Sequence, residues 1–214
     1  MATRRIAQTA AVEEAPTRRG AARRDDLIAA CLRSLAARGR EGASVRRIAA
    51  EAGVSVGLIH HYFPSVDELV AAAYRRIAGR LAEDIEAEVA KARTPTARLE
   101  AFIATSLSSP AVEASVLNAW LTFWSMIRSA PAVKAAHDET YGAYRARLET
   151  ILTELAGDVA EPDFDVALAA LGLTAMLDGL WLELCLNPTA LAQDQALALG
   201  RVYVAGLTQP PSAG

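Results

Sequence analysis

Residues 44–63 have the sequence SVRRIAAEAGVSVGLIHHYF. It predicts two short helices joined by a tight turn. Gly53 lies where the first helix must end, because a left-handed backbone is cheap there only for glycine. Ser55 is placed to cap the second helix, and Ala49 is small enough for the helices to cross closely. This spacing is typical of a helix-turn-helix, which lays its second helix in the major groove of DNA.

The apolar residues of this segment share one face of the first helix. They are Val45, Ile48, Ala49 and Ala52, at positions i, i+3, i+4 and i+7. Ile59 points back into the same small core, and Val54 fills the turn. Alanine-rich helix pairs with a glycine turn are common, so the alternative is a helical hairpin with no role in nucleic-acid binding.

Charge is distributed unevenly along the chain of 214 residues. Residues 1–67 hold 11 arginines, no lysine and 7 acidic residues, a net charge of +4. Residues 68–214 hold 11 basic and 18 acidic residues, a net charge of −7. A basic end and an acidic body suit a protein that offers one end to phosphates. Chance asymmetry in an arginine-rich tail is the alternative.

Composition argues against several classes of protein. Cys31 and Cys185 lie in apolar helical patterns and are expected to pack as small hydrophobic residues. The N-terminus lacks the apolar region of a secretory signal, and the longest weakly polar run, 166–177, is too short to span a bilayer. His60 and His61 point about 100° apart on a helix and cannot chelate one ion. We expect a cytoplasmic protein with no membrane, metal or cofactor.

The rest of the chain predicts further helices and no strands. A helix at 24–38 precedes the motif, and Gly39 ends it. Ser65 and Glu68 form a capping box that opens a long helix to about residue 90, the natural lever between the two ends of the molecule. Further helices are predicted at about 96–107, 109–128, 131–155, 163–186 and 190–207.

Three segments resemble the TetR family of bacterial transcriptional regulators. They are RRDDLIAACLRSLAARG (23–39), SVRRIAAEAGVS (44–55) and HYFPSVDEL (61–69). The resemblance implies an all-α homodimeric repressor that binds double-stranded operator DNA and is released from it by a small-molecule inducer. The implied organisation is a flexible basic arm (1–22), a three-helix DNA-binding domain (23–67), a helical ligand-binding and dimerisation domain (68–208) and a tail (209–214).

The candidate DNA-binding residues lie on the two motif helices. They are Ser44, Arg46, Arg47, Ser55, Val56, Gly57, Leu58, His60, His61 and Tyr62. Matched to the family pattern, Arg46 is the better candidate for a contact with a base, while His60 and Tyr62 match positions that contact phosphate or base edges. Val56, Gly57 and Leu58 offer apolar or bare surface to thymine methyl groups.

One departure from the family leaves a second function open. Relatives commonly carry a phosphate-binding lysine where this chain has Val66. The alternative function is therefore a helical adaptor that acts through protein contacts without specific DNA binding. An enzyme is not expected, because the chain lacks a nucleophile elbow, a phosphate-binding loop and metal-ligand spacing, and so no catalytic residues are proposed.

Aromatic residues of the body form a candidate ligand site with one acid. The set is Trp120, Phe123, Trp124, His137, Tyr141, Asp178 and Trp181. A buried carboxylate is costly unless it is paired or used, so these residues predict a pocket that holds a small cation by cation–π contact. The alternative is that the aromatic rings fill the core and Asp178 hydrogen-bonds to Tyr, His or Arg.

Two segments of the body look like the C-terminal domain of BetI-type repressors, NAWLTFWSMIRSAP (118–131) and AMLDGLWLELCL (175–186). That resemblance implies an inducer of the quaternary ammonium class. The family also implies that the helices at 163–186 and 190–207 pair with their symmetry mates as a dimer interface. A core helix of a monomer is the alternative. Dimerisation is expected independently, since helix-turn-helix proteins read half-sites roughly 34–36 Å apart.

Overall fold

The computed structural model describes residues 18–158 and 164–208. Across these residues the chain is all-α and contains no strand, which confirms the predicted fold class. The α-helices of this part of the chain are α1 (Arg18–Arg38), α2 (Val45–Ala52), α3 (Val56–Tyr62), α4 (Val66–Val89), α5 (Pro95–Ser108), α6 (Leu117–Met126), α7 (Pro131–Asp158), α8 (Val166–Leu186) and α9 (Gln193–Thr208).

The first helix begins earlier than its sequence signals indicate. Residues 18–22 were assigned to the flexible arm, but they form the first turns of α1, so the prediction was wrong for them. Arginine and alanine are good helix formers, and they extend the helix beyond its buried face. The remainder of the arm, residues 1–17, and the tail at 209–214 lie outside the described residues.

The helices α1, α2 and α3 share one small core. Its buried residues include Leu27, Ile28, Cys31, Leu35, Ile48, Ala49 and Ile59. Gly42, in the short 3-10 helix Gly39–Gly42, lies so close to α1 that an added Cβ would meet the Ser34 carbonyl oxygen at 2.2 Å. The Ser34 hydroxyl donates a hydrogen bond to the Gly42 carbonyl at 3.0 Å, which holds this turn against α1.

The helix-turn-helix has the predicted turn. Gly53 has φ +65° and ψ 35°, the left-handed conformation that ends α2. The Ser55 hydroxyl accepts a hydrogen bond from the Leu58 backbone N–H at 3.3 Å and so caps α3. These local signals place α2 and α3 at the angle that leaves one side of α3 exposed.

The long helix α4 joins the DNA-binding domain to the body. The Ser65 hydroxyl caps it by accepting from the Glu68 N–H at 3.2 Å. Two adjacent arginines tie α4 to both neighbours, since Arg76 pairs with Asp25 of α1 and Arg75 pairs with Glu139 of α7. All residues from 69 to 74 are buried, because α4 is covered by both domains along this stretch.

The predicted helix at 109–128 is wrong at its beginning. Two 3-10 helices, Pro110–Val112 and Ala114–Val116, precede α6. The carbonyl oxygens of Ala111 and Val112 accept hydrogen bonds from the indole N–H groups of Trp120 and Trp181. Tertiary hydrogen bonds therefore replace the helical ones that a continuous α-helix would have made.

Three other helix ends differ from the sequence predictions. α7 continues through Gly157, which was expected to lie past its end, to Asp158. α8 begins at Val166, where Asp165 caps it by accepting from the Leu168 N–H at 2.7 Å. α9 begins at Gln193 rather than near residue 190.

The outer surface of α8 and α9 is apolar. Its exposed large side chains are Leu168, Leu171 and Leu186 on α8 and Leu199 and Val202 on α9. An 18-residue window of α8 has a mean hydropathy of 1.5, so by length and composition alone this 21-residue helix is long and apolar enough to cross a membrane, contrary to the prediction from the shorter run. Only 33% of that window is buried within one chain, so this apolar surface needs a cover.

Candidate functional site

The predicted DNA-binding residues lie together on α2, α3 and the turn between them. The exposed members are Arg46, Arg47, Ser55, Gly57, His60 and His61, and the half-buried members are Ser44, Val56, Leu58 and Tyr62. Val56 and Leu58 were expected to be exposed. Val56 packs partly against the core, as Tyr62 does, which leaves less free apolar surface on α3 than the sequence indicates.

The two arginines of α2 differ in their partners. Arg47 pairs with Glu41, with Nη2 3.1 Å from Oε2. Arg46 is exposed and makes no ion pair with any residue that the structure describes. Arg46 is therefore free to reach an anion without first breaking an ion pair.

Gly57 leaves bare backbone on the exposed side of α3. A Cβ added there would have the Ser55 Oγ as its nearest neighbour, at 3.9 Å, so packing does not require glycine. The Ser44 hydroxyl makes no capping hydrogen bond to α2. The His61 ring stands edge-on to Tyr62, with their centroids 5.1 Å apart. The surface thus combines the bare backbone of Gly57, the Ser44 hydroxyl, which makes no cap, and the aromatic rings of His61 and Tyr62.

A cavity lies in the body, walled mainly by α4, α6, α7 and α8. Its empty volume is about 670 Å³, including its open mouth. The aromatic residues that line it are Tyr74, Trp120, Trp124, Tyr141, Tyr144 and Trp181. Among the described residues of this lining, Asp178 is the only charged one. The cavity is therefore an aromatic chamber with a single carboxylate.

The three tryptophans form one wall and meet at steep angles. The Trp181 centroid lies 6.3 Å from that of Trp120 and 5.6 Å from that of Trp124, with interplanar angles of 71° and 87°. The Trp120 Nε1 donates to the Ala111 carbonyl at 2.8 Å, and the Trp181 Nε1 donates to that of Val112 at 2.5 Å. Since the protein itself uses these two donors, the ring carbons are left to line the cavity.

Asp178 is held by a tyrosine of the same chamber. The Tyr141 hydroxyl donates to the Asp178 carboxylate. Burial raises the pKa of Asp178, while the hydrogen bond from Tyr141 and the charge of Arg145 act in the opposite direction. The Arg145 guanidinium lies over the Tyr141 ring, 5.5 Å from its centroid. Asp178 is therefore hydrogen-bonded to Tyr, as the alternative interpretation expects, and it also lines the cavity.

Two of the predicted ligand-binding residues lie elsewhere. Phe123 is fully buried and stacks on Tyr74 with a centroid distance of 4.7 Å, so it supports the wall from behind. His137 lines a neighbouring cavity of about 610 Å³, which shares Trp124, Tyr141 and Asp178 with the aromatic chamber. The remaining predicted residues, Trp120, Trp124, Tyr141, Asp178 and Trp181, come together as expected.

Sequence reasoning missed Tyr74 as a member of the site. It lies in the middle of α4, the helix interpreted as a lever with an aliphatic stripe. The signal was present, since Tyr74 is the one aromatic residue in the alanine-rich run LVAAAYRRIAG (69–79). Tyr144 follows Tyr141 by three residues on the same helical face and was also left out of the predicted set.

The chain matches known families over both of its parts. Residues 27–73 match the tetR family of bacterial regulatory proteins, and residues 95–209 match the C-terminal domain of BetI-type transcriptional repressors. The BetI regulator of Brucella canis is 34% identical over 192 residues, which cover 89% of this chain and 94% of that protein. The BetI regulator of Burkholderia mallei is 31% identical over 191 residues, with 88% and 94% coverage.

Solved structures show the same architecture. A transcriptional regulator from Pseudomonas aeruginosa superposes with a TM-score of 0.82 at 42% identity, covering 88% of this chain and 91% of that one. A regulator from Saccharomonospora viridis, solved in complex with choline, has a TM-score of 0.76 at 20% identity, with 86% and 96% coverage, and shows the shared fold.

These matches favour a DNA-binding regulator over an adaptor that lacks specific DNA binding. The relatives are transcriptional regulators and the family is not enzymatic. Proteins of this family bind operator DNA and act as dimers. The chain therefore belongs to the TetR family, as a ligand-responsive DNA-binding transcriptional repressor with a BetI-type C-terminal domain.

Proposed function

We propose that the inducer of this repressor is a quaternary ammonium compound that binds in the aromatic chamber. The observation that carries the proposal is the grouping of three indole and three phenol rings around the single carboxylate of Asp178. A methylated cation is attracted to ring faces and needs no hydrogen-bond acceptor. Asp178 supplies the opposite charge at short range in a site with little water.

A structural neighbour supports this ligand class. Choline is the ligand in the Saccharomonospora viridis regulator of the same fold. That complex concerns the other protein, and in this chain the proposal rests on the lining of its own cavity.

The exposed side of α3 and the first turn of α2 are the proposed DNA-binding surface. Arg46 has no ion-pair partner there among the residues that the structure describes, and Gly57 lets the backbone come close to the bases. In a dimer, two copies of α3 reach successive major grooves when they lie roughly 34–36 Å apart. The apolar faces of α8 and α9 are the proposed dimer interface, and the protein acts in the cytoplasm.

Two helices connect the cavity to the DNA-binding domain. α4 contributes Tyr74 to the cavity and pairs with α1 through Arg76. α6 contributes Trp120 and Trp124, and its Asn118 side chain donates to the Ala36 carbonyl of α1 at 2.9 Å. By this route, a ligand causes release from the operator only under one condition. It must bind more tightly to the conformation in which the two copies of α3 no longer match successive major grooves.

The proposal is tested by fluorescence anisotropy of the dimer on DNA from upstream of its own coding sequence, with scrambled DNA of equal length as control. Choline, tetramethylammonium and 3,3-dimethylbutan-1-ol, the uncharged carbon analogue of choline, are titrated into the complex. We expect both cations to weaken specific binding and the neutral analogue to have no effect.

A matched variant separates the cavity from the DNA surface. Trp124→Ala removes one ring of the cavity and is expected to abolish the response to the cations while operator affinity without ligand stays unchanged. If the neutral analogue released DNA as well as choline did, the cavity would recognise shape rather than charge and the proposal would fail. It would also fail if neither cation bound the protein in isothermal titration calorimetry.

A further inference from the structure

A second space adjoins the aromatic chamber on the far side of Trp181. This tail groove, as we call it, runs between the end of α5, the two 3-10 helices, the end of α8 and the segment before α9, with an empty volume of about 750 Å³. Trp181 and Val112 line both the chamber and the tail groove. The two spaces therefore meet at these two residues.

Trp181 and Val112, which separate the two spaces, are joined by a hydrogen bond. The Trp181 Nε1 donates to the Val112 carbonyl at 2.5 Å, which joins α8 to the 3-10 helix Pro110–Val112. Trp181 is only 5% exposed although it borders two spaces, so its ring fills the gap between them. Trp124, by contrast, lines the chamber but not the tail groove.

The lining of the tail groove is mainly apolar. Leu107, Leu184 and Leu191 contribute to it, together with Pro188 and Ala192. An alkyl chain binds favourably to such a surface, because burying its apolar area lowers the free energy and it needs no hydrogen-bond partner. In the proposed function, the aromatic chamber holds the quaternary ammonium group of the ligand. The chamber and the tail groove would form one continuous site if Trp181 did not separate them.

We infer that Trp181 sets the upper length of the ligand, and that the tail groove behind it is an alkyl subsite from which the wild-type protein excludes long-chain quaternary ammonium compounds. The inference rests on the proposed function, because it assumes that the head group occupies the chamber. It assigns Trp181 a role in specificity beyond its contribution to the aromatic wall.

The test is a series of n-alkyltrimethylammonium ions, from methyl to decyl, titrated calorimetrically into the full-length dimer. In the wild type, the affinity is expected to drop once the chain outgrows the chamber. Trp181→Ala should bind tetramethylammonium more weakly, yet gain about fourfold in affinity for each methylene that enters the tail groove. Trp181→Leu, which keeps an apolar side chain in the wall, is measured beside it.

Two controls test whether the gain in affinity for long alkyl chains arises in the tail groove. Trp124→Ala removes a ring that does not border the tail groove, so it should weaken all members of the series alike. Ala114 is exposed and lines the tail groove, so Ala114→Trp in the Trp181→Ala background should fill that groove and cancel the gain for long chains.

The two proposals fail in different ways. If tetramethylammonium binds but neither Trp181 variant shifts the preference towards longer chains, the inference about Trp181 is overturned and the proposed inducer class stands. If the wild type already binds the decyl compound more tightly than the methyl one, the length limit does not exist. If no member of the series binds any form of the protein, both proposals are overturned.

Discussion

The hydroxyl of Tyr74 lies 2.8 Å from Nδ1 of His137, and this contact joins the connecting helix α4 to α7 beside the ligand cavity. Burial raises the pKa of Tyr74 to about 12 and lowers the pKa of His137, so at neutral pH both groups are uncharged. Tyr74 also stacks on Phe123 of α6. One side chain thus touches the cavity, both helices that lead to the DNA-binding domain, and α7.

Tyr74→Phe tests whether this contact transmits the signal. The ring and its stacking remain, but the hydrogen bond to His137 is lost. We expect affinity for the inducer to change little, while the ratio of operator affinities with and without inducer falls about fivefold, within the usual range of coupling energies. Anisotropy titrations at zero and saturating ligand measure that ratio.

Tyr144→Phe is the matched control for Tyr74→Phe, because the Tyr144 hydroxyl pairs with Ser106 of α5, a helix that does not connect the cavity to the DNA-binding domain. An equal loss of coupling in both variants would contradict the assignment.

If the proposed inducer binds beside Asp178, its affinity should depend on pH. Burial is the largest cause of its raised pKa, so the carboxylate takes up a proton at a higher pH than an ordinary aspartate. Because the protonated form carries no charge, affinity for a quaternary ammonium ion is expected to fall as the pH is lowered through this raised pKa. Calorimetry from pH 7.5 down to pH 5 measures the trend.

Asp178→Asn should remove that pH dependence and weaken binding about tenfold at pH 7.5, the equivalent of roughly 1.4 kcal/mol. His137→Gln is the control, because His137 is a nearby titratable group that lines the neighbouring cavity. Persistence of the full pH dependence in Asp178→Asn would assign the effect to another group.

Arg46 and Arg47 are neighbours in sequence with different expected contributions to DNA binding. Arg46→Ala should weaken operator binding and reduce the slope of log affinity against log salt by about one, since one phosphate or base contact is lost. Arg47→Ala should have a smaller effect, because Arg47 is already paired with Glu41. Arg128→Ala makes the same charge change at an exposed position of the body and serves as the control. Equal salt slopes for all three variants would rule out a direct contact by Arg46.

Two glycines of the helix-turn-helix should respond oppositely to alanine. Gly53→Ala forces a side chain into a left-handed turn and is expected to lower the free energy of unfolding by about 1 kcal/mol. Gly57→Ala makes no contact closer than 3.9 Å, to the Ser55 Oγ, and should raise stability by about 0.5 kcal/mol. Gly57→Ala should nevertheless weaken operator binding, because the new methyl group stands where the backbone approaches the bases. Denaturant unfolding and anisotropy measure the two properties separately, and unchanged operator binding would exclude the close approach.

Val202 tests the dimer interface. Its side chain is 69% exposed on α9 in a single chain, so Val202→Glu should fold normally as a monomer. A monomer reads only one half-site, and operator affinity should fall by more than about tenfold. Sedimentation analysis gives the oligomeric state. Leu121→Glu, at an exposed apolar position of α6, is expected to remain dimeric, and a Val202→Glu dimer would place the interface elsewhere.

Local signals predict the helix-turn-helix well. Gly53 ends α2 and Ser55 caps α3 because both effects act within four residues, and a sequence shows them directly. The cavity is harder to predict. Trp120, Phe123 and Trp124 share one helical face in the sequence, but only the two tryptophans line the cavity, because Tyr74 from a distant helix covers Phe123.

The start of α6 was missed for a related reason. The segment after Pro110 has ordinary helix signals, and nothing in its own residues shows that the indole rings of Trp120 and of the distant Trp181 take its carbonyl groups. Likewise, Gly157 is a helix end by propensity, yet α7 continues past it to Asp158. Boundaries that depend on tertiary contacts are therefore the ones that sequence patterns cannot predict.

The hydrogen bond between the Tyr144 and Ser106 hydroxyls has a consequence for discrimination between amines. A primary ammonium group brings three donors and a tightly held water shell, and it must find acceptors when it sheds that water. In this chamber the hydroxyls of Tyr144 and Ser106 are bonded to each other, and Asp178 already accepts from Tyr141. Replacing each N–H by a methyl group removes the demand for acceptors. We therefore expect the chamber to bind a fully methylated ammonium ion more tightly than ethanolamine-like compounds, because a primary ammonium group costs more to dehydrate.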